Sequence, residues 1–230
     1  MKHKKNCFYS EELDRHPRRV QPPNLKEGKI EVQDFCGFLR DFLSKIKPRP
    51  KEIVEIGSDI RLKLALDIAD LCDTIFCVDF PEVCAMKEGW LEMHRDMAGA
   101  SNIRQVADNA LRLSRWVSGA DVIILRNVLL GLEKGDTERM WEYRRGEIQI
   151  NENEIKELNQ RFVRAEEAAY GEFLKVASSG YIITLREPDD GFKEMLINKL
   201  GIREQNITVK KLRHDDSEKI MDCYLIDNTK

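Results

Sequence analysis

Residues 52–57 read EIVEIG, a short β-branched run that ends at a glycine. A helical pattern of leucine, isoleucine and alanine follows at 60–71, and residues 74–78 read TIFCV, a second apolar run. Apolar runs of this length are typical of strands that helices cover on both faces. Strand, helix and strand in this order predict a unit in which the two strands are parallel.

The alternation of apolar runs and helical patterns continues towards the C-terminus. Further strands are predicted at 103–107, 121–125, 180–185, 207–212 and 220–226, and helices at 32–46, 83–97, 111–117, 151–178 and 192–200. We expect a loop or lid at the polar stretch 133–146, and one helix or two, broken near Gly171, at 151–178. A short charged turn at 214–218 predicts that the last two strands form an antiparallel hairpin. The expected fold is α/β, with a doubly wound, mostly parallel sheet of seven strands.

The charge of the chain is unevenly distributed. Residues 1–50 hold twelve Lys and Arg against seven Asp and Glu, and because the 230 residues together carry −3, the rest carries −8. We therefore expect a basic N-terminal extension with one helix, 1–50, and an α/β domain, 51–230, with a charged insertion at 133–165. The extension is either a solvated tail or an arm that closes over an anionic ligand.

The composition also bears on metal sites and on the compartment. The six cysteines form no C-x-x-C pair and have no histidine at zinc-like spacing, so no metal site is expected. No apolar run approaches 18 residues, and the first ten residues are polar and basic, so neither a membrane span nor a secretion signal is predicted. These features favour a cytoplasmic protein with reduced thiols.

The polar residues that follow the predicted strands are the candidates for a ligand site, because doubly wound sheets bind ligands at the carboxyl ends of their strands. Gly57 allows a sharp turn close to a ligand. Asp79 follows 22 residues later, about the spacing at which an acidic residue meets a ribose hydroxyl. Asp108 could accept a hydrogen bond from an exocyclic amine. The other strand-end candidates are Glu55, Ser58, Phe80, Asn109, Arg126, Asn127 and Glu187.

Each of these residues also has a purely structural interpretation. Gly57 can serve only the strand-to-turn junction, and Asp79 can be a turn residue or helix cap before Pro81. Asp108 can cap the helix predicted to begin near Ala110. Arg126 and its neighbour can belong to a packing network under the sheet.

Five segments in this order resemble the class I S-adenosylmethionine-dependent methyltransferase family, which has a Rossmann-like sheet. They are IVEIGSD (53–59), IFCVDF (75–80), VADNALRL (106–113), ADVIILRNVLLGL (120–132) and FLKVASSGYIITLREP (173–188). The predicted terminal hairpin also resembles this family, whereas a nicotinamide-dinucleotide dehydrogenase has a parallel last strand.

The resemblance implies S-adenosylmethionine as the cofactor and assigns roles by position. Glu55 and Gly57, with Ser58 in the same loop, would line the methionine portion of the cofactor. Asp79 would hold the ribose, with Phe80 beside the adenine. The remaining positions are Asp108 and Asn109 at the adenine amine, and Arg126 and Asn127 under the sulfonium, facing the substrate.

The chain departs from the family pattern at one position of the first motif. Asp59 stands where the family has a second glycine, so its side chain narrows the space for the cofactor's carboxylate and its charge repels that group. Arg61 could offset this repulsion. Either the cofactor binds in a modified pose, or the fold has lost its ligand and serves as a non-catalytic assembly or regulatory subunit. A nicotinamide-dinucleotide enzyme is a weaker alternative, because the G-x-G-x-x-G motif is missing.

The sequence does not identify the methyl acceptor or a catalytic base. Tyr143 and Glu187 are candidates on the substrate side, and His16, His94 and His214 can titrate near neutrality. The tryptophans are scattered without the basic–aromatic pattern of a nucleic-acid platform, and the net charge is slightly negative. We therefore expect a small-molecule acceptor rather than a nucleic acid, and the insertion at 133–165 could be a lid or a homodimer interface.

Overall fold

The computed structural model describes residues 32–58, 61–98, 101–126, 128, 130, 134–214 and 219–229. The seven strands are β1 (Glu52–Ile56), β2 (Thr74–Asp79), β3 (Ile103–Ala107), β4 (Val122–Arg126), β5 (Tyr181–Arg186), β6 (Ile207–Arg213) and β7 (Ile220–Asp227). The α-helices are α1 (Phe35–Lys45), α2 (Lys63–Ile68), α3 (Pro81–Ala98), α4 (Lys134–Arg144), α5 (Glu152–Val176) and α6 (Asp190–Asn198). Short 3₁₀ helices lie at Ala69–Leu71, Ala110–Arg115 and Glu204–Asn206.

The strands form one sheet in the order β3-β2-β1-β4-β5-β7-β6. Neighbouring strands from β3 to β5 are parallel, and β7 runs antiparallel to both β5 and β6. The predicted doubly wound sheet with an antiparallel C-terminal hairpin is confirmed. Because the chain moves outward from β1 to β2 and β3 and then returns to β4 on the other side of β1, the switch point lies between β1 and β4.

Helices cover both faces of the sheet because alternate strand residues point to opposite sides. On one face, buried side chains of α1 and α2 pack with Ile53 and Ile75. On the other, Val54 and Ile123 pack with Tyr170 and the rest of the apolar stripe of α5 and α6. Continuous burial of the central strands explains their unbroken apolar sequences.

The expectation of a loop at 133–146 is wrong for Lys134–Arg144, which forms α4. This helix is polar; one side chain, Met140, is buried, and ion pairs such as Arg161–Asp136 at 3.0 Å join the helix to α5. Because ion pairs with α5 supply these contacts, the sequence of α4 does not show the apolar stripe by which an amphipathic helix is recognised. Whether α4 acts as a lid or as an interface stays a prediction.

Of the two alternatives for 151–178, the structure has the single helix: α5 continues without a break through Gly171, where a β-carbon would meet only the Leu200 side chain, at 4.0 Å. The segment predicted as a helix at 111–117 is a 3₁₀ helix, Ala110–Arg115, with non-helical backbone at Arg112.

The cysteines of the described part of the chain are free thiols, four of them buried. Burial raises the pKa of Cys72 and of Cys223 to about 12. In the same residues, no group of three His, Cys, Asp or Glu side chains is arranged to hold a metal ion. None of the helices described is both long enough and apolar enough to cross a membrane.

Candidate cofactor and substrate site

Gly57 turns the chain at the carboxyl end of β1. Its φ of +67° lies in the left-handed region, and its N–H donates to the Val78 carbonyl at 3.0 Å, which joins the turn to β2. A β-carbon at this position would lie 2.6 Å from one methyl carbon of Val128, which follows β4. The turn therefore requires glycine both for its backbone conformation and for the close approach of the loop after β4.

The loop that Gly57 begins ends at Leu62, which is fully buried and has a φ of +52°. A left-handed leucine is strained, and such strain persists only where the surrounding structure imposes it. The intervening residues Asp59 and Ile60, including the expected departure from the glycine motif, lie outside the described residues.

Asp79 ends β2 with both carboxylate oxygens bonded within the chain. Oδ1 accepts a hydrogen bond from the Phe80 N–H at 2.9 Å, and Oδ2 accepts one from the Lys87 ammonium at 2.9 Å. Lys87 is 1% exposed and also donates to the carbonyl oxygen and the hydroxyl of Ser58. The sequence analysis missed this lysine; its signal is its position three residues after Cys84, on the buried stripe of α3.

Asp108 and Asn109 follow β3. Asp108 Oδ2 accepts from the Trp116 indole N–H at 2.6 Å and Oδ1 from the Asn109 N–H at 2.7 Å. The hydrogen bond from Trp116 is the main cause that lowers the pKa of Asp108, and the bond from the Asn109 N–H adds to it. The interpretation of Asp108 as the helix cap is wrong: Asn109 is extended and caps the 3₁₀ helix through a 3.0 Å bond from the Leu111 N–H.

Five of the predicted cofactor residues border one narrow cleft at the carboxyl ends of β1, β2 and β3. They are Gly57, Asp79, Phe80, Asp108 and Asn109. The cleft has a volume of about 40 Å³, and Val128 and Leu130 close its side towards β4. Three other predicted residues do not line it: Glu55, Ser58 and Arg126.

Glu55 lies within the sheet rather than at the cleft. It is 1% exposed, and the Cys77 thiol of β2 lies 3.7 Å from its Oε2. Strand alternation places Glu55 on the same face as Ile53, towards α1 and α2. Ser58 is buried against Lys87, and Arg126 is half-buried at the end of β4.

A second and larger cavity, of about 430 Å³, lies beside this cleft at the ends of β4 and β5. Val128 and Leu130 border both spaces and therefore form the wall between them. Trp141 of α4, together with Phe162 and Tyr170 of α5, supplies the aromatic lining of the larger cavity. Burial raises the pKa of Tyr170, so its hydroxyl stays protonated at neutral pH.

The carboxylates of the larger cavity are paired with cations. Arg186 donates to Glu166 at 2.6 Å and to Asp189 at 2.9 Å. Glu187 accepts from the Lys219 ammonium at 2.5 Å, and this bond lowers the pKa of Glu187. Glu187, predicted on the substrate side, thus lines the cavity but is a weak proton acceptor at neutral pH.

The remaining substrate-side and base candidates are not brought together in the described structure. Tyr143 is 39% exposed and does not line the larger cavity, whereas Trp141 and Arg144 of the same helix do. Asn127 and His16 lie outside the described residues, as does the side chain of His94. His214 follows β6 and borders neither space.

No protein-family model matches the chain, and no curated protein matches it in sequence. Solved structures do match. A putative O-methyltransferase from Nostoc punctiforme PCC 73102 aligns with a TM-score of 0.54 and 13% identity, over 84% of this chain and 55% of that one. The N-methyltransferase NodS from Bradyrhizobium japonicum WM9, in complex with S-adenosyl-L-homocysteine, aligns with a TM-score of 0.52 and 14% identity, over 86% and 89%.

The chain has the fold of the class I methyltransferases. An rRNA methylase from Streptococcus thermophilus shares this methyltransferase fold, with a TM-score of 0.52 and 12% identity over 83% of this chain and 95% of that one. These three proteins are an O-methyltransferase, an N-methyltransferase and an rRNA methylase by name, so the shared fold does not identify an acceptor. In this methyltransferase fold, the cleft and the larger cavity lie on either side of the switch point.

Proposed function

We propose that this chain is an S-adenosylmethionine-dependent methyltransferase that acts on a small-molecule acceptor. The observation that supports the proposal is the adjacency of two spaces at the switch point, which share Val128 and Leu130 as lining residues. One space presents the carboxylates and backbone turn that the family resemblance assigns to the cofactor. The other has a volume of about 430 Å³, within the range of small-molecule pockets.

The residues around the narrow cleft fit an adenosyl group in chemistry. The Asp79 carboxylate retains lone pairs beyond its two bonds within the chain, and these can accept from vicinal ribose hydroxyls. Leu111 and Ile56 supply apolar walls, and Asp108 supplies an acceptor for an exocyclic amine. In size, a cleft of about 40 Å³ is smaller than a nucleoside, so binding of the cofactor requires the cleft to widen.

The chemistry asked of the chain is mainly positioning. Bound S-adenosylmethionine supplies an electrophilic methyl group, and transfer to a nucleophile is a direct displacement. The larger cavity would orient the acceptor between the aromatic side chains and the ion-paired network of Arg186. Its carboxylates are engaged by cations, and the pKa of Glu187 is lowered by Lys219, which favours an acceptor that is already nucleophilic at neutral pH.

Calorimetry with S-adenosylhomocysteine tests cofactor binding by the full chain. We expect measurable binding, and Asp79→Ala should weaken it at least tenfold because the ribose loses its acceptor. Val128→Ala is the matched control: it borders the same cleft without a hydrogen-bonding group and should bind at least as tightly. The proposal fails if the unmodified chain shows no binding at millimolar ligand.

A transfer assay with methyl-tritiated S-adenosylmethionine tests the acceptor class. We expect label to enter the small-molecule fraction of a cell extract. Label recovered in RNA, which one of the structural neighbours is named for, would overturn the small-molecule part and leave the methyltransferase part standing.

A non-catalytic role is the second candidate, and it is favoured by the size of the cleft and by the bonds that already engage Asp79. In this case the chain uses the methyltransferase fold as an assembly or regulatory subunit. The calorimetry separates the two, because the second candidate predicts no binding of S-adenosylhomocysteine. For either function, the free thiols of the described residues are consistent with our proposal of a cytoplasmic, reducing location.

A further inference from the structure

Lys87 is a buried lysine that nothing in the fold requires for packing. It lies on α3 six residues after Pro81, about 9 Å down the helix at 1.5 Å per residue. Because α3 joins the parallel strands β2 and β3, it runs opposite to them and begins at the carboxyl edge of the sheet. Side chains on a helix tilt towards its N-terminus, so the long lysine stem leads back to that edge.

The ammonium of Lys87 reaches two separate segments at this edge. It donates to the carbonyl oxygen of Ser58, to the Ser58 hydroxyl at 3.0 Å, and to Asp79 Oδ2 at 2.9 Å. These bonds use all three of its donors. One cation therefore ties the turn after β1 to the end of β2, the two segments that flank the narrow cleft.

Stability alone is a weak reason for this arrangement. The Lys87 side chain is 2% exposed and that of Asp79 is 15% exposed, so both charges are largely withdrawn from water. An apolar side chain of similar length often replaces such a pair without loss of stability, whereas a broken pair leaves a buried charge. What the ion pair does that an apolar replacement could not do is fix the orientation of the Asp79 carboxylate. Lys87 binds one of its oxygens and the Phe80 N–H binds the other.

We propose that Lys87 is a positioning residue of the cofactor site and acts through Asp79. It fixes the Asp79 carboxylate and the Ser58 turn before the ligand arrives, so the ribose acceptor does not have to be ordered on binding. Lys87 lines neither the narrow cleft nor the larger cavity, so it acts through Asp79 rather than on the ligand directly. This inference rests on the proposed function, because it concerns the same nucleoside site.

A double-mutant cycle read in ligand binding tests the inference. Calorimetry with S-adenosylhomocysteine is carried out on the unmodified chain and on Lys87→Met, Asp79→Asn and Lys87→Met/Asp79→Asn, with folding checked by thermal melts. We expect each single variant to bind at least tenfold more weakly. The double variant should bind within about twofold of Asp79→Asn, because Lys87 has no carboxylate left to orient.

Met86→Ala is the matched control, since Met86 precedes Lys87 on the same helix but is 49% exposed; its affinity should change less than threefold. If Lys87→Met alone does not fold, Lys87→Gln takes its place in the cycle; its shorter, neutral side chain should still weaken binding at least threefold, and binding equal to that of the unmodified chain would overturn the inference. The inference is overturned if folded Lys87→Met binds like the unmodified chain, or if the lysine change weakens binding further in the Asp79→Asn background. If the unmodified chain does not bind S-adenosylhomocysteine, the proposed function is overturned, and so is the inference about Lys87 that rests on it.

Discussion

Replacement of Gly57 by alanine tests the contact that joins the turn after β1 to the loop after β4. An alanine held at a φ of +67° carries about 1–2 kcal/mol of backbone strain. Its β-carbon would also lie 2.6 Å and 3.0 Å from the two methyl carbons of Val128, a β-branched side chain with little freedom to rotate. Overpacking of this kind costs about 1–3 kcal/mol.

The change in unfolding free energy follows from these contributions. Alanine restricts the unfolded chain and recovers about 0.5–1 kcal/mol, so Gly57→Ala should destabilise the protein by about 2–4 kcal/mol. Val128→Ala alone removes two methyl groups from a half-buried side chain and should cost about 1 kcal/mol. In Gly57→Ala/Val128→Ala the steric conflict is gone, and the total cost should fall about 1–3 kcal/mol below the sum of the single costs.

Equilibrium urea unfolding, followed by far-UV circular dichroism and by tryptophan fluorescence, measures all four forms. Coincident transitions of the two probes are required for the free energies to be compared. The close approach of Val128 to Gly57 is refuted if the two substitutions are additive within 0.5 kcal/mol, with each variant unfolding in a single transition. A neutral Gly57→Ala would refute the left-handed turn as well.

Two further predictions concern stability. Gly180→Ala should destabilise the protein by about 3 kcal/mol, because the new β-carbon would lie 2.5 Å from two backbone carbonyl oxygens before β4. Gly171→Ala, within α5, should instead stabilise it by about 0.5–1 kcal/mol in the same urea experiment. Equal effects of the two substitutions would contradict the close packing around Gly180. The lowered pKa of Asp108 adds stability that is present above the usual aspartate pKa of about 4 and is lost as the pH falls through the lower folded-state value. Trp116→Phe should therefore cost about 0.5–1 kcal/mol at pH 7 and progressively less as the pH falls through the folded-state pKa; a loss that does not change with pH would show that the indole bond does not act on the carboxylate.

The strands of the sheet could be predicted closely from the sequence, whereas the helix α4 could not. β1 and β3 begin and end at the predicted residues, because each is a short run that contains Ile and Val and is bounded by turn residues. The segment Lys134–Arg144 lacks an apolar stripe, and its contacts with α5 depend on residues that are distant in sequence. Hydrophobic periodicity shows only that one face of a helix is apolar and buried. A helix that is stabilised mainly by ion pairs therefore has no apolar stripe in its sequence.

Some features of the candidate site could also be predicted from the sequence, and others could not. Asp79 and Asp108 could be placed at one edge of the sheet, because the carboxyl ends of parallel strands meet there. Their partners could not be predicted: Lys87 occurs on a charged helix, and its burial follows from which face of α3 packs against the sheet. The wall formed by Val128 likewise depends on β4 lying beside β1.

Local pattern by itself determined which segments are strands, where each ends to within one residue, and therefore which polar residues lie at the carboxyl edge of the sheet. These properties depend on near neighbours along the chain, through side-chain alternation, helical period and turn residues. Only the tertiary structure decided how those residues are engaged: Asp79 by Lys87, Asp108 by Trp116, and Gly57 by Val128. Such contacts arise from the packing of helices on the sheet, and no property of a single segment encodes them.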